Sequence, residues 1–294
     1  LSGQVIVVGS ANVDLVTRVD RIPSPGETVT AESFNLYPGG KGLNQAVAAR
    51  RAGANTELIA AIGTDDNANV IATTVAAEGM DPSLLRREGD TTGTAFVTTD
   101  ATGENNIVIV PGANGLLHHL TDGERELIRN ADVLVCQLEV PDSVVEEAVV
   151  TAWESGTKVV LNPTPVRPVP AAILAAVDVL IVNEHEAEQL DVDSLPVPCV
   201  LTTLGSKGST IRVRGEATVR IPARKTIAID TTGAGDTFVG AFAAEVARGV
   251  GYEGAAQRAS TAASLSVEEP GAVPSIPTRR AVDDALGPER VENQ

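Results

Sequence analysis

Val179-Leu180-Ile181-Val182-Asn183-Glu184-His185-Glu186 is an apolar, β-branched run that ends in polar side chains where a helical segment begins. A short apolar run, a polar break and a helix together make one unit of an α/β sheet with parallel strands. The unit recurs. Val5–Val8 leads to Gly9, Asn12 and Asp14; Val133–Cys136 to Gln137 and Glu139; Lys158–Leu161 to Asn162; Val200–Thr202 to Thr203, Gly205 and Ser206. In an open α/β sheet, ligands bind outside the carboxyl ends of the strands, so these polar ends should converge on one rim. The expected fold class is α/β, a doubly wound, mainly parallel sheet with helices on both faces.

Two stretches break the rhythm. Residues 15–37 carry Pro23, Pro25 and Gly26 among alternating residues, and residues 91–112 read as a hairpin, Thr94–Thr99 and Ile107–Val110 around a turn at 100–104. They are either ordinary edge hairpins or one small β-sheet lid that closes the rim against water. On the lid reading, the core comprises residues 1–14, 38–90 and 113–294, and the lid comprises 15–37 and 91–112.

Composition excludes several classes. With 294 residues, 43% of them hydrophobic, and a mean hydropathy of +0.08, the chain is globular. No apolar run approaches the roughly 18 residues of a membrane span. The chain enters Val5–Val8 without a basic, apolar leader, so no membrane partner is expected. Cys136 and Cys199 lie far apart in apolar runs, as buried thiols in a reducing cytoplasm would. A net charge of −17 and 2% aromatic residues oppose nucleic-acid binding by a basic surface or by base stacking. His118, His119 and His185 lack metal-site spacing and read as surface residues. Neither a Ser-His-Asp elbow nor a GxxxxGK[ST] loop occurs, and the glycines at 39–42 lack the GxGxxG spacing of a dinucleotide fold.

Two glycine-rich helix starts remain. Asp230-Thr231-Thr232-Gly233-Ala234-Gly235-Asp236-Thr237-Phe238 precedes an apolar helix face of Phe238, Ala241, Phe242 and Val246 that stops at Gly249. Its first N–H groups and positive dipole favour an anion with Asp236 beside it, although an N-cap Asp after a glycine turn gives the same pattern. Pro38-Gly39-Gly40-Lys41-Gly42-Leu43-Asn44-Gln45 opens a second helix, which stops at Gly53. Asn12, Asp14, Asn44, Glu139 and Asp236 mix amides and carboxylates with no aromatics nearby, which suits the many hydroxyls of a sugar. Asn183 and Glu186, three apart at a helix start, serve either as a capping box or as oxygen ligands of hydrated Mg²⁺. Thr203-Leu204-Gly205-Ser206-Lys207-Gly208 is either a hairpin turn or a turn that runs beneath phosphates.

With these motifs in view, the chain resembles the ribokinase-like, phosphofructokinase-B-type family of carbohydrate kinases over nearly its whole length. Its two signatures match Gly39-Gly40-Lys41-Gly42 through Gly53 and Asp230 through Phe238, in the family's order. Related fructokinases and adenosine kinases usually differ at the Lys41 position. The resemblance implies ATP-dependent phosphorylation of a neutral pentose, D-ribose at its 5-hydroxyl. Another pentose, deoxyribose or a nucleoside is the alternative acceptor, and a catalytically silent sugar-binding sensor is the non-kinase alternative.

Site roles follow by the same resemblance. Asp236 is the catalytic base, and Gly233, Ala234 and Gly235 form the anion hole. Asn12, Asp14, Gly40, Lys41, Gly42, Asn44 and Glu139 hold the sugar together with Asp236. Asn183, Thr203, Leu204, Gly205, Ser206, Lys207, Gly208, Gly235 and Ser260 contact ATP. Asn183 and Glu186 organise Mg²⁺, mostly through water. Asp230, Thr232, Ser266, Glu269, Gly271 and Ser275 hold an activating K⁺, and the lids of two subunits clasp into a homodimer. Two departures stand out: a shortened stretch between Leu190 and Cys199, and Glu268-Glu269-Pro270 in place of basic residues common before Gly271.

Overall fold

The computed structural model describes residues 2–102 and 104–287; Leu1, Gly103 and 288–294 lie outside the described residues, and with Gly103 part of the expected hairpin turn. Along the chain the elements are β1 (Gln4–Val8), β2 (Asn12–Arg18), β3 (Ser33–Gly39), α1 (Lys41–Arg51), β4 (Asn55–Ile62), α2 (Asp66–Ala77), β5 (Leu85–Arg87), β6 (Gly93–Thr99) and β7 (Asn105–Val110). They continue with α3 (Asp122–Arg129), β8 (Val133–Gln137), α4 (Asp142–Ser155), β9 (Lys158–Asn162), α5 (Ala171–Ala175), β10 (Val179–Asn183), α6 (Glu184–Leu190) and β11 (Cys199–Thr203). The last are β12 (Ser209–Val213), β13 (Val219–Ile221), α7 (Ala234–Ala247), α8 (Tyr252–Ser266), α9 (Ala272–Ser275) and α10 (Arg279–Leu286).

A nine-stranded sheet runs in the order β13-β12-β11-β10-β9-β8-β1-β4-β5. It is parallel from β11 through β5, and only β12 and β13 pair antiparallel at one edge. Strand β1 shows why both faces must be covered. Val5 and Val7 enter one apolar core with α1, α7 and α8, whereas Ile6 and Val8 enter a second core with α4 and α5. Alternate side chains of a strand point to opposite faces, so an unbroken apolar run needs helices on both. The doubly wound α/β expectation is met.

Crossing from β1 to β4 and β5 and then back to β8 puts a topological switch at the β1–β8 pair. Ligand crevices form at such a point, outside the carboxyl ends. Register brings those ends level: Gln137 lies beside Asn162, and Asn183 beside Thr203.

A separate four-stranded sheet has the order β3-β2-β6-β7. It begins at Asn12 and extends to Gly39, so it takes in Asn12 and Asp14 as well as the two ends of 15–37 and most of 91–112. The reason is pairing: Asn12 opposes both Gly39 and Gly93, which extends the ladder down to the rim.

Helices α1 and α7 pack closely through small residues. A Cβ placed on Gly240 would lie 2.3 Å from the Gln45 carbonyl oxygen and 2.5 Å from the Ala48 Cβ. Only glycine permits that approach, and it sets the first turns of the two glycine-rich helices side by side.

Candidate active site

Both helices start on a glycine with positive φ and no side-chain cap: Gly40 at φ 88 for α1 and Gly233 at φ 74 for α7. The N–H groups of α1 are met from the segments that follow β1 and β8. Glu139 Oε2 accepts from the Lys41 N–H at 3.1 Å and from Ser10 Oγ at 2.5 Å, and Ser10 Oγ accepts from the Gly42 N–H at 3.3 Å. A carboxylate at a helix N-terminus is stabilised by the dipole as well as by these bonds.

Asp236 is buried in the first turn of α7. Its Oδ2 accepts from Asn44 Nδ2 and its Oδ1 from Gln45 Nε2, each at 2.9 Å. Among the described residues Asn44 Oδ1 is buried without a partner, an acceptor suited to a ligand hydroxyl beside the base. Asn12 Oδ1 accepts from Asn114 Nδ2 at 2.7 Å, and Asn114 Oδ1 accepts from the Ala11 N–H at 2.9 Å. That orients the Asn12 amide so that its own N–H₂ is left for another acceptor.

Four carboxylates, Asp14, Glu139, Glu186 and Asp236, and one ammonium, Lys41, share this end of the sheet. Burial, then repulsion from Glu139 and Asp236, pushes the Asp14 carboxyl up to about 7. Attraction from Asp236 raises the Lys41 ammonium, burial opposes it, and Glu139 and Glu186 add to the rise. Lys41 is therefore held charged among Asp236, Glu139 and Glu186.

Asn183, Glu186 and the 203–208 segment lie along the same rim. Asn183 and Glu186 form a reciprocal capping box at the start of α6, and Glu186 also accepts from Thr164 Oγ1 at 2.9 Å. The 203–208 segment is the turn of the antiparallel β11–β12 hairpin, with Gly205–Lys207 in one 3-10 turn and Lys207 within 3.9 Å of Glu184. It remains at the carboxyl end of β11, level with Asn183. Ser260 is buried in α8.

Asp230 ties the α7 loop to the α9 turn: its Oδ1 accepts from the Thr232 N–H and hydroxyl, and its Oδ2 from the Gly271 N–H. Burial works to raise this carboxyl, and those hydrogen bonds outweigh it and lower it. Ser266 and Ser275 are buried and donate their hydroxyl hydrogens to the Ala263 and Ala272 carbonyls, whereas Glu269 is exposed. His118, His119 and His185 are exposed. Cys136 and Cys199 are buried free thiols, and burial pushes both up. No helix among the described residues is long and apolar enough to cross a membrane.

Ser10, Asn114 and Thr164 escape the motifs, and Gln45 lies within one without being singled out. Ser10 and Asn114 share no spacing with the residues they orient, and Gln45 reads from sequence as another helix residue.

Residues 2–279 match the pfkB family carbohydrate kinase model. The ribokinase of Haemophilus influenzae is 37% identical over 292 residues, covering 93% of this chain and 95% of that protein. A bifunctional ribokinase/ribose-5-phosphate isomerase A of Fructilactobacillus sanfranciscensis is 34% identical over 98% of this chain, which spans 57% of that longer protein. The structure of Arabidopsis thaliana ribokinase complexed with ribose and ATP matches with a TM-score of 0.91 at 32% identity, covering 97% of this chain and 99% of that one. Two glycine-led helices abut at a switch point, a buried Asp stands in the first turn of one, and the match runs nearly end to end: the chain belongs to the pfkB family of carbohydrate kinases.

Proposed function

We propose that the chain is an ATP-dependent ribokinase that transfers the γ-phosphoryl group to the 5-hydroxyl of D-ribose, with Asp236 as the base. The observation that carries this reading is the buried Asp236 carboxylate, gripped by Asn44 and Gln45 in the first turn of α7. Relatives named ribokinase at 32–37% identity, one of them solved with ribose and ATP, support the choice of sugar.

Asn12, Asp14, Gly40, Lys41, Gly42, Asn44 and Glu139 would hold the sugar through paired donors and acceptors. Asp236 need not deprotonate the hydroxyl in advance. It has only to accept the proton as the phosphoryl group departs in line from ADP. Charge on the moving group would be met by the N–H groups of Gly233, Ala234 and Gly235 at the α7 start and by Lys41. Mg²⁺ bound with ATP supplies neutralisation of phosphate charge. Asn183 and Glu186 suit it as oxygen donors reached mostly through water, since their capping box leaves lone pairs on both side chains. Asp230 Oδ1 accepts twice from Thr232 and Oδ2 once from Gly271, so K⁺ would draw on the remaining Oδ2 lone pair together with oxygens of Thr232, Ser266, Glu269, Gly271 and Ser275.

The second sheet would act as the lid and dimer clasp. One row of its register sets Leu36, Leu15, Phe96 and Val108 side by side, and Leu36, Phe96 and Val108 are exposed. A contiguous apolar face on a sheet is a surface suited to association. Buried, unpaired Cys136 and Cys199 favour a cytoplasmic location.

Asp14 gives a pH signature. Its folded carboxyl is raised to about 7 from an ordinary value of 3.8, so ionisation costs the fold stability as pH rises from about 4 through 7. The ionised form accepts sugar hydroxyls best, so the KM for ribose should fall as pH rises from 6 to 8. In Asp14→Asn that dependence should vanish, and the fold should gain stability relative to wild type above pH 7. A pH-independent KM in the wild type contradicts this role.

The functional reading is tested by ADP release with MgATP across ribose, deoxyribose, fructose and nucleosides, each in K⁺ and in Na⁺. Ribose should give the highest kcat/KM. Faster turnover of a nucleoside or no turnover of any pentose would overturn it.

A further inference from the structure

One hydrogen-bonded path leaves the Asp236 carboxylate and ends on Glu186. Gln45 Nε2 donates to Asp236 Oδ1 at 2.9 Å and to Asn162 Oδ1 at 3.1 Å. Asn162 Nδ2 donates to Thr164 Oγ1 at 3.2 Å and to the Ile181 carbonyl at 3.0 Å. Thr164 Oγ1 donates in turn to Glu186 Oε1 at 2.9 Å.

The hydrogens on this path have a single arrangement. Gln137 Nε2 donates to Gln45 Oε1 at 2.6 Å, so the Gln45 oxygen is used and its nitrogen faces two acceptors with two hydrogens. Asn162 is satisfied in the same way, its oxygen accepting once and its nitrogen donating twice. Thr164 accepts from Asn162, which leaves its one hydrogen for Glu186. Gln45 and Asn162 are buried, and a satisfied polar path out of water holds its members rigidly; Gln137, which braces Gln45 from the side, is buried with its own Oε1 unpartnered among the described residues. Gln45 is fully buried, and every polar atom of its side chain is spent on protein.

We propose that Gln45 is the positioning residue of the base, and that Asn162 and Thr164 extend its hold to Glu186. The sugar side and the nucleotide side of the crevice are thereby set in one frame. The proposal rests on the kinase reading, with Asp236 accepting the proton. Asn44 and Gln45 each take one lone pair of the Asp236 carboxylate and leave one per oxygen for an incoming hydroxyl.

Two variants test the path at its two ends. Gln45→Glu keeps the shape but sets a carboxyl against the Asp236 and Asn162 oxygens, so the introduced carboxyl and Asp236 retain one proton between them. The acid limb of the kcat–pH profile should move up by about one pH unit or more, with the calorimetric Kd for ribose close to wild type. A variant that only loses thermal stability, with the acid limb unmoved, would overturn the positioning role.

Thr164→Val removes the hydroxyl that holds Glu186. The ratio of ADP Kd in EDTA to ADP Kd in Mg²⁺, read by calorimetry, should shrink by about tenfold or more, the effect of one charge-assisted hydrogen bond. The KM for ribose should not change, and Thr164→Ser should restore the ratio. An unchanged ratio in Thr164→Val would overturn the extension to Glu186. Wild-type protein that phosphorylates no sugar would instead refute the kinase reading, before any variant is compared.

Discussion

Asp236→Asn is expected to lower kcat by about 10²–10⁴, the usual contribution of a general base, while ribose still binds. The amide cannot take the hydroxyl proton, yet it fills the same volume. Its packing cost is also small, for a reason visible in the structure. Asp236 accepts from both Asn44 and Gln45, so an amide at 236 meets one donor too many. Asn44 Oδ1 has no partner among the described residues; by turning over, the Asn44 amide offers that oxygen to the new N–H₂ and the conflict disappears. Gln45 cannot turn, because Gln137 holds its oxygen. Steady-state kinetics beside ribose calorimetry separate the two effects. A kcat within about tenfold of wild type would remove Asp236 from the chemistry.

The second large effect is expected where α1 meets α7. Gly240→Val adds a branched side chain at a point where even a Cβ would stand 2.3 Å from the Gln45 carbonyl oxygen. The helices must separate, and overpacking of this kind costs about 3 kcal/mol or more, read as a fall in Tm of roughly 5–10 °C. Activity should fall in the molecules that remain folded, because Asn44 and Gln45 on α1 grip a carboxylate on α7. The contact that stabilises the fold thus also sets the distance on which the base depends. An unchanged Tm would show that the interface yields without cost and that its closeness does not position the site.

The sheet was legible in the sequence because a strand buried on both faces is apolar throughout, as Val5–Val8 and Val179–Val182 are, and because each run ends in a polar break. Both helix starts were legible from their glycines. What local pattern does not encode is which strand ends become neighbours. Gln137 and Asn162 stand out as polar residues after strands, but only the β8–β9 register sets them side by side beneath Gln45. Asn114 and Asn12 meet across about a third of the chain for the same reason. At Asn183 and Glu186 the ambiguity is physical rather than a matter of distance. A three-residue spacing at a helix start closes a capping box, and the two side chains still retain lone pairs for water around a cation. The small sheet's start at Asn12 was hidden as well, since that strand follows β1 with only a short polar break.

The central claim is phosphoryl transfer to the ribose 5-hydroxyl, and phosphorus NMR of the product tests it most directly. Incubation with MgATP and ribose should yield ADP and a single phosphomonoester whose phosphorus couples to the two protons on C5. A phosphorus coupled to the single proton of C1, or ATP that persists beside unmodified ribose, would contradict the account.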